Sequence, residues 1–191
     1  MTHAVQGAVG ASTLTPLRVA SRRPFMLIFL ALAMALTLAA LGAMEAPAVL
    51  GGNNKLTQAE RVIREARSHV GARFRMGAEG QRHGRRVYFD CSGLVYRVYK
   101  DAGLISKIGG GRMRVTTYMR WFQRRGLANK RNPKPGDLIV WGKRGRVTHM
   151  GIYVGGNKAI SALINPWGVR PHRVNGLPDN VMTYLHVRIE R

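Results

Sequence analysis

The chain has 191 residues, the length of one domain with an appendage. Lys and Arg total 31 against 9 acids, a formal net charge of +22. Hydrophobic residues make up 46 %, enough for a core, which excludes a wholly disordered chain. A single cysteine excludes an intramolecular disulfide scaffold and a cysteine-rich zinc site. Neither an internal repeat nor a heptad run is present, which excludes solenoids and coiled coils.

No charged residue lies between Arg23 and Glu45, and Phe25 to Met44 is rich in Leu, Ala and Met. About 20 apolar residues suffice to cross a bilayer as a helix. Arg18, Arg22 and Arg23 precede the segment, so the positive-inside bias places everything after it outside the cytoplasm. Ser21-Arg22-Arg23-Pro24-Phe25-Met26 resembles a twin-arginine export signal, and Ala46-Pro47-Ala48 offers small residues for cleavage. Residues 1–48 are therefore read as an export signal or, if residues 25–44 are retained, a membrane anchor. A short linker follows over 49–56, and one domain fills 57–191.

In that domain Thr57-Gln58-Ala59-Glu60 is a capping box. The helix it opens carries Ala59, Val62, Ile63, Ala66 and Val70 on one face and stops at Gly71. A second helix follows Cys91, with Leu94, Val95, Val98 and Ala102 inward and Gly103 closing it. A third starts near Thr116 or Thr117, presents Tyr118, Trp121 and Phe122, and ends at Gly126. The periodicity then changes to that of strands. These are expected from Leu138 to Trp141, Val147 to Val154, Ala159 to Ile164 and Val181 to Ile189, with a hairpin at Gly155-Gly156-Asn157. Helices first and an antiparallel sheet afterwards predict an α+β fold.

Cys91 falls at the first turn of the second helix. There backbone donors and the helix dipole are expected to lower the thiol pKa and to hold an oxyanion. A thiolate also needs a proton shuttle. Of the six histidines, His149 stands inside an apolar strand and is the candidate base. His3 belongs to the export segment. His69, His83, His172 and His186 read as surface or structural residues.

Phe89-Asp90-Cys91-Ser92-Gly93-Leu94-Val95, then Pro135-Gly136-Asp137-Leu138, then Thr148-His149-Met150-Gly151-Ile152-Tyr153-Val154-Gly155 resemble the NlpC family of papain-like cysteine peptidases. The resemblance covers most of residues 57 to 164. It implies a papain-like core and hydrolysis of amide bonds in peptidoglycan stem peptides, of the γ-D-glutamyl–diamino acid type, with neither cofactor nor metal. By matching position Cys91 is the nucleophile and His149 the base, while Asp90 and Ser92 hold the free amine of the substrate. Two positions depart from the pattern. Ser161 stands where the family usually has a polar third residue, often histidine. A three-residue loop pairing Val154 with Lys158 sets Gly151 opposite Ser161 and puts that serine on the His149 face. A substitute such as Asn165 or His172 is the alternative. Phe74 stands where the family has tyrosine; it keeps the ring and loses the hydroxyl. Trp167, in the unmatched segment Leu163 to Gly168, is read as a core or loop anchor, with a groove wall as the alternative.

The basic residues cluster at Arg82-Arg85-Arg86, Arg124-Arg125-Lys130-Arg131 and Lys143-Arg144-Arg146. Such charge attracts polyanions. With export and no base-reading signature, the expected partners are peptidoglycan or muropeptides, and anionic wall polymers or a membrane surface, rather than nucleic acid. The chain is expected to act as a monomer in the cell envelope or outside the cell. Against the peptidase stand a catalytically weakened wall-binding module and another thiol-dependent acyl transfer on the same site.

Overall fold

The structure is a computed structural model that describes residues 55–191. The apolar segment over residues 25–44 and its arginines lie outside the described residues. Among the described residues no helix is long and apolar enough to cross a membrane. Three of the 31 basic residues and one of the 9 acids precede residue 55, so the described part carries about +20.

In chain order the elements are α1 (Gln58–Ser68), β1 (Arg73–Phe74), β2 (Glu79–His83), β3 (Arg86–Phe89), α2 (Cys91–Asp101), a 3₁₀ turn (Ile105–Ile108) and α3 (Val115–Gln123). Six strands follow: β4 (Ala128–Asn129), β5 (Leu138–Lys143), β6 (Arg146–Gly155), β7 (Lys158–Leu163), β8 (Gly168–Arg173) and β9 (Asn180–Leu185). They form an antiparallel sheet in the order β4-β9-β5-β6-β7-β8, and a separate small sheet has the order β1-β3-β2. This is the expected α+β arrangement.

The capping box forms: Glu60 N–H donates to Thr57 Oγ1 at 3.2 Å, and Thr57 N–H donates to the Glu60 carboxylate at 2.8 Å. Ala59, Val62 and Ala66 of α1 are buried as expected. Val70 is not; it is 45 % exposed, because the helix ends at Ser68 and Gly71, at φ +92°, turns the chain away. Leu94, Val95, Val98 and Tyr99 of α2 are fully buried, in one core with Val140, Met150, Ile152 and Ile160 of the large sheet. Each buried aliphatic side chain of this kind stabilises the fold by about 1.5–3 kcal/mol.

Gly93 lets α2 come this close. A Cβ there would lie 2.0 Å from the Ala78 carbonyl oxygen, so any other residue would push the helix N-terminus off the backbone before β2. That same carbonyl accepts from Asp90 N–H at 2.8 Å. The small sheet therefore acts as a shelf under the first turn of α2.

The β6–β7 hairpin turns through two residues, Gly156 and Asn157, both at positive φ, and not three. Gly155 pairs with Lys158, and an irregularity at Val154 then restores Tyr153 opposite Ala159 and Ile152 opposite Ile160. Beyond that bulge the register is the expected one, which sets Gly151 across from Ser161.

Asp137, fully buried, ties the end of the chain to the start of β5. Its carboxylate accepts from Lys134 N–H at 2.9 Å, Val187 N–H at 3.0 Å, His186 Nδ1 at 2.8 Å and the Arg191 guanidinium at 2.5 Å. Removing a buried charge with this many donors costs far more than losing an exposed pair. We expect Asp137→Asn to lower stability by about 3 kcal/mol, read as a shift in the urea midpoint. A loss below about 1 kcal/mol would mean that the C-terminal segment is held by its apolar contacts instead.

Candidate active site

Cys91 opens α2 and is half-buried. Asp90 caps the helix, accepting from Gly93 N–H at 2.6 Å and from the Ser92 hydroxyl at 2.9 Å. The Cys91 sulfur lies against the backbone N–H groups of Met150, Ser92 and Cys91 itself. Met150 follows His149 on β6, so the first turn of α2 and the His149 region of the sheet meet at the thiol.

His149, Ser161 and His172 form a diagonal row across three adjacent strands, β6, β7 and β8. His149 Nε2 and Ser161 Oγ are 2.8 Å apart, and Ser161 Oγ and His172 Nε2 are again 2.8 Å apart. The row ends where His172 Nδ1 meets the Arg173 carbonyl at 2.9 Å. A carbonyl only accepts, so His172 Nδ1 carries the proton and its Nε2 accepts from the Ser161 hydroxyl. Ser161 then accepts from His149 Nε2–H, which leaves His149 Nδ1 with a free lone pair. Trp141 flanks both imidazoles, with ring centroids at 5.5 Å from His149 and 5.6 Å from His172.

Ser161 fills the space of the side chain that Gly151 lacks: a Cβ on Gly151 would lie 2.7 Å from Ser161 Cβ. Both routes weighed in the sequence thus meet, since Ser161 touches His149 and His172 reaches the site through Ser161. Asn165 does not join; its amide donates to the Phe74 carbonyl at 3.4 Å.

The sequence reads His172 as a surface or structural residue because Pro171 interrupts the β-pattern around it. Proline is tolerated there because β8 is the sheet's edge strand. Phe74 packs against the main core, and the groove beside Cys91, about 660 Å³, is walled by Met76 and Gly77 instead. Trp167 is no core anchor: it is 60 % exposed, with the Arg170 guanidinium 5.0 Å above its ring.

Electrostatics reverse one expectation. Burial pushes the Cys91 thiol above its ordinary pKa, and the Asp90 charge pushes the same way; the three N–H groups oppose without winning. Burial lowers His149 to about 4, and His172 adds to the effect while Asp179 opposes it. The resting pair is therefore a neutral thiol and a neutral imidazole. We expect iodoacetamide alkylation of Cys91 to follow an apparent pKa above that of an ordinary cysteine; a rate already saturated at pH 7 would contradict this.

The histidine shifts also set the acid limit of stability. Between pH 6.5 and about 4 the unfolded chain binds a proton at His149 that the folded chain refuses. Stability is thus full above 6.5 and falls as pH drops, with His69 and His172, also lowered by burial, acting in the same direction. From His149 alone we expect a loss of about 2–3 kcal/mol between pH 7 and pH 4.5. Equal urea midpoints at the two pH values would show that His149 titrates normally.

Residues 71–185 match the NlpC/P60 family. Over 116 residues the chain is 30 % identical to the "Probable endopeptidase p60" of Listeria monocytogenes, covering 60 % of this chain and 21 % of that protein. It is 38 % identical over 96 residues to the "Murein DD-endopeptidase MepH" of Escherichia coli, covering 49 % of this chain and 32 % of that one. The chain thus spans about a fifth to a third of the length of these relatives. Among solved structures it resembles the peptidoglycan hydrolase RipB from Mycobacterium tuberculosis, at 26 % identity and a TM-score of 0.50, covering 70 % of this chain and 66 % of that one. The NlpC/p60 domain of the peptidoglycan hydrolase SagA shares the fold at 24 % identity and a TM-score of 0.50, covering 68 % and 98 %. Because the family match runs over more than half of the chain, from the end of α1 to the end of β9, this chain belongs to the NlpC/P60 family.

Proposed function

We propose that this chain is an exported cysteine endopeptidase that hydrolyses amide bonds in peptidoglycan stem peptides, of the γ-D-glutamyl–diamino acid type. The observation that carries the reading is the directed row of hydrogen bonds that ends in a free lone pair on His149 Nδ1. A site that only bound wall material would gain nothing from a histidine kept neutral to about pH 4 and held in one tautomer.

In this reading His149 Nδ1 takes the Cys91 proton as sulfur attacks the amide carbon. The oxyanion that forms is held by N–H groups at the start of α2. The resulting imidazolium, still bonded to Ser161 through Nε2, gives its proton to the departing amine. A water molecule then attacks the thioester, and its proton returns through His149 to restore the thiol. Since both groups rest neutral, proton transfer accompanies attack rather than preceding it.

Arg73, Arg82, Arg85 and Arg86 line a separate cleft of about 510 Å³, and none has an acidic partner among the described residues. This basic surface supports attachment to anionic wall polymers or lipid head groups.

The test is digestion of defined peptidoglycan fragments by the full chain, with products identified by mass spectrometry. We expect cleavage between D-glutamate and the diamino acid, abolished by Cys91→Ala. Ser161→Ala, which breaks both bonds of the row, should lower kcat by about tenfold, the worth of one hydrogen bond in a partly buried site. His172→Gln should lower it less and move the acid limb of the pH profile upward, because His172 helps to depress His149. Turnover by Cys91→Ala would sink the mechanism. Retention of wall fragments with no product from the intact chain would favour the weakened binding module.

A further inference from the structure

The groove beside Cys91 is walled by Met76, Gly77, Arg112, Met113 and Val115, with Asp90 and Ser92 at its floor. The family resemblance gives Asp90 and Ser92 the task of holding a substrate amine. An ammonium group is a donor only, with three protons to place, so it needs acceptors that are free and preferably negative. Asp90 has none to offer.

One oxygen of its carboxylate accepts from Gly93 N–H at 2.6 Å and from Ser92 Oγ at 2.9 Å. The other accepts from Gly77 N–H at 2.8 Å and from the Arg112 guanidinium at 2.7 Å. Ser92 Oγ spends its proton on the same carboxylate, which leaves its oxygen as a neutral acceptor with no charge to set against an ammonium. Arg112 is itself held by the Gly77 carbonyl at 2.9 Å and by Glu79 at 3.2 Å, so it is fixed on three acceptors rather than swinging in solvent. The side chain of Asp90 is 7 % exposed and that of Arg112 29 %. A substrate ammonium would have to displace a charge already in place and would meet a guanidinium on the way. What the groove offers instead is apolar wall, from Met76, Met113 and Val115, and a second cation, Arg114, without an acidic partner among the described residues.

We infer that Arg112 is a specificity determinant: it occupies from within the chain the place a substrate ammonium would take on Asp90, so this groove accepts stem peptides whose amino end is uncharged and acylated. A stem still attached to its glycan presents such an end; a released stem does not. The inference rests on the peptidase reading above and names which stems that peptidase takes.

The experiment compares kcat/KM of the full chain on two stem peptides identical except that one carries a free amino end and the other an N-acetyl group. The wild type should prefer the acetylated peptide by about tenfold, the scale of one close charge pair in a partly desolvated site. Arg112→Gln frees the Asp90 oxygen and should abolish or reverse that preference, whereas Arg112→Lys, which keeps the charge, should retain it. Because each preference is a ratio within one variant, partial loss of folded protein cancels. A wild type that prefers the free amine, or a ratio unchanged in Arg112→Gln, overturns the inference while leaving the peptidase in place. Cleavage of neither peptide overturns the peptidase reading, and this inference with it.

Discussion

A backbone carbonyl can accept a hydrogen bond and cannot donate one, and at Arg173 that asymmetry orients everything between it and His149. His172 must point Nδ1–H at the carbonyl, Ser161 must then donate to His172, and His149 must donate to Ser161. No member of the row carries a formal charge at neutral pH, since burial keeps both histidines unprotonated. The row therefore fixes a tautomer and a ring angle and supplies no counter-charge. A carboxylate in the same place would stabilise an imidazolium and raise its pKa; a neutral relay leaves burial to decide, and burial keeps the histidine a free base.

The thiol is governed by a second contest of the same kind. The start of a helix ordinarily favours a thiolate. Here the first turn of α2 is pressed onto the shelf before β2, with Gly93 too close to the Ala78 carbonyl to bear a side chain and Asp90 directly before the thiol. That closeness buries the sulfur beside a carboxylate, and both effects oppose the helix dipole. Packing that positions the thiol is thus also what keeps it protonated.

Much of this was legible in the sequence because it depends on local signals. The capping box at Thr57, the apolar face of α2 and the alternation of β6 and β7 each follow from residue type and spacing. Other features depend on partners far away in the chain. Strand β2, with the sequence Glu79-Gly80-Gln81-Arg82-His83, has no apolar alternation and exists because β3 pairs with it. Strand β8 is masked by Pro171, and with it His172. Asp137 reads as a turn residue, whereas its carboxylate collects donors from residues about 50 positions later. Arg112 directly follows a glycine-rich stretch, Gly109-Gly110-Gly111, that marks a loop and says nothing of the acid on which the arginine will land.

The way Ser161 nests into the missing side chain of Gly151 couples positions that a lineage would otherwise vary independently. A histidine at 161 has no free volume, since the space past the serine oxygen is taken by His172 on one side and His149 on the other. Conversely, any residue larger than glycine at 151 would evict the serine and open the row. Moving from this arrangement to one with an imidazole directly beside His149 therefore requires that 161 grow and 172 shrink together, through intermediates in which one link is either broken or overfilled. Chains of this family that carry serine at this position should accordingly be found with glycine opposite it and a long polar side chain one strand further out, inherited as a set.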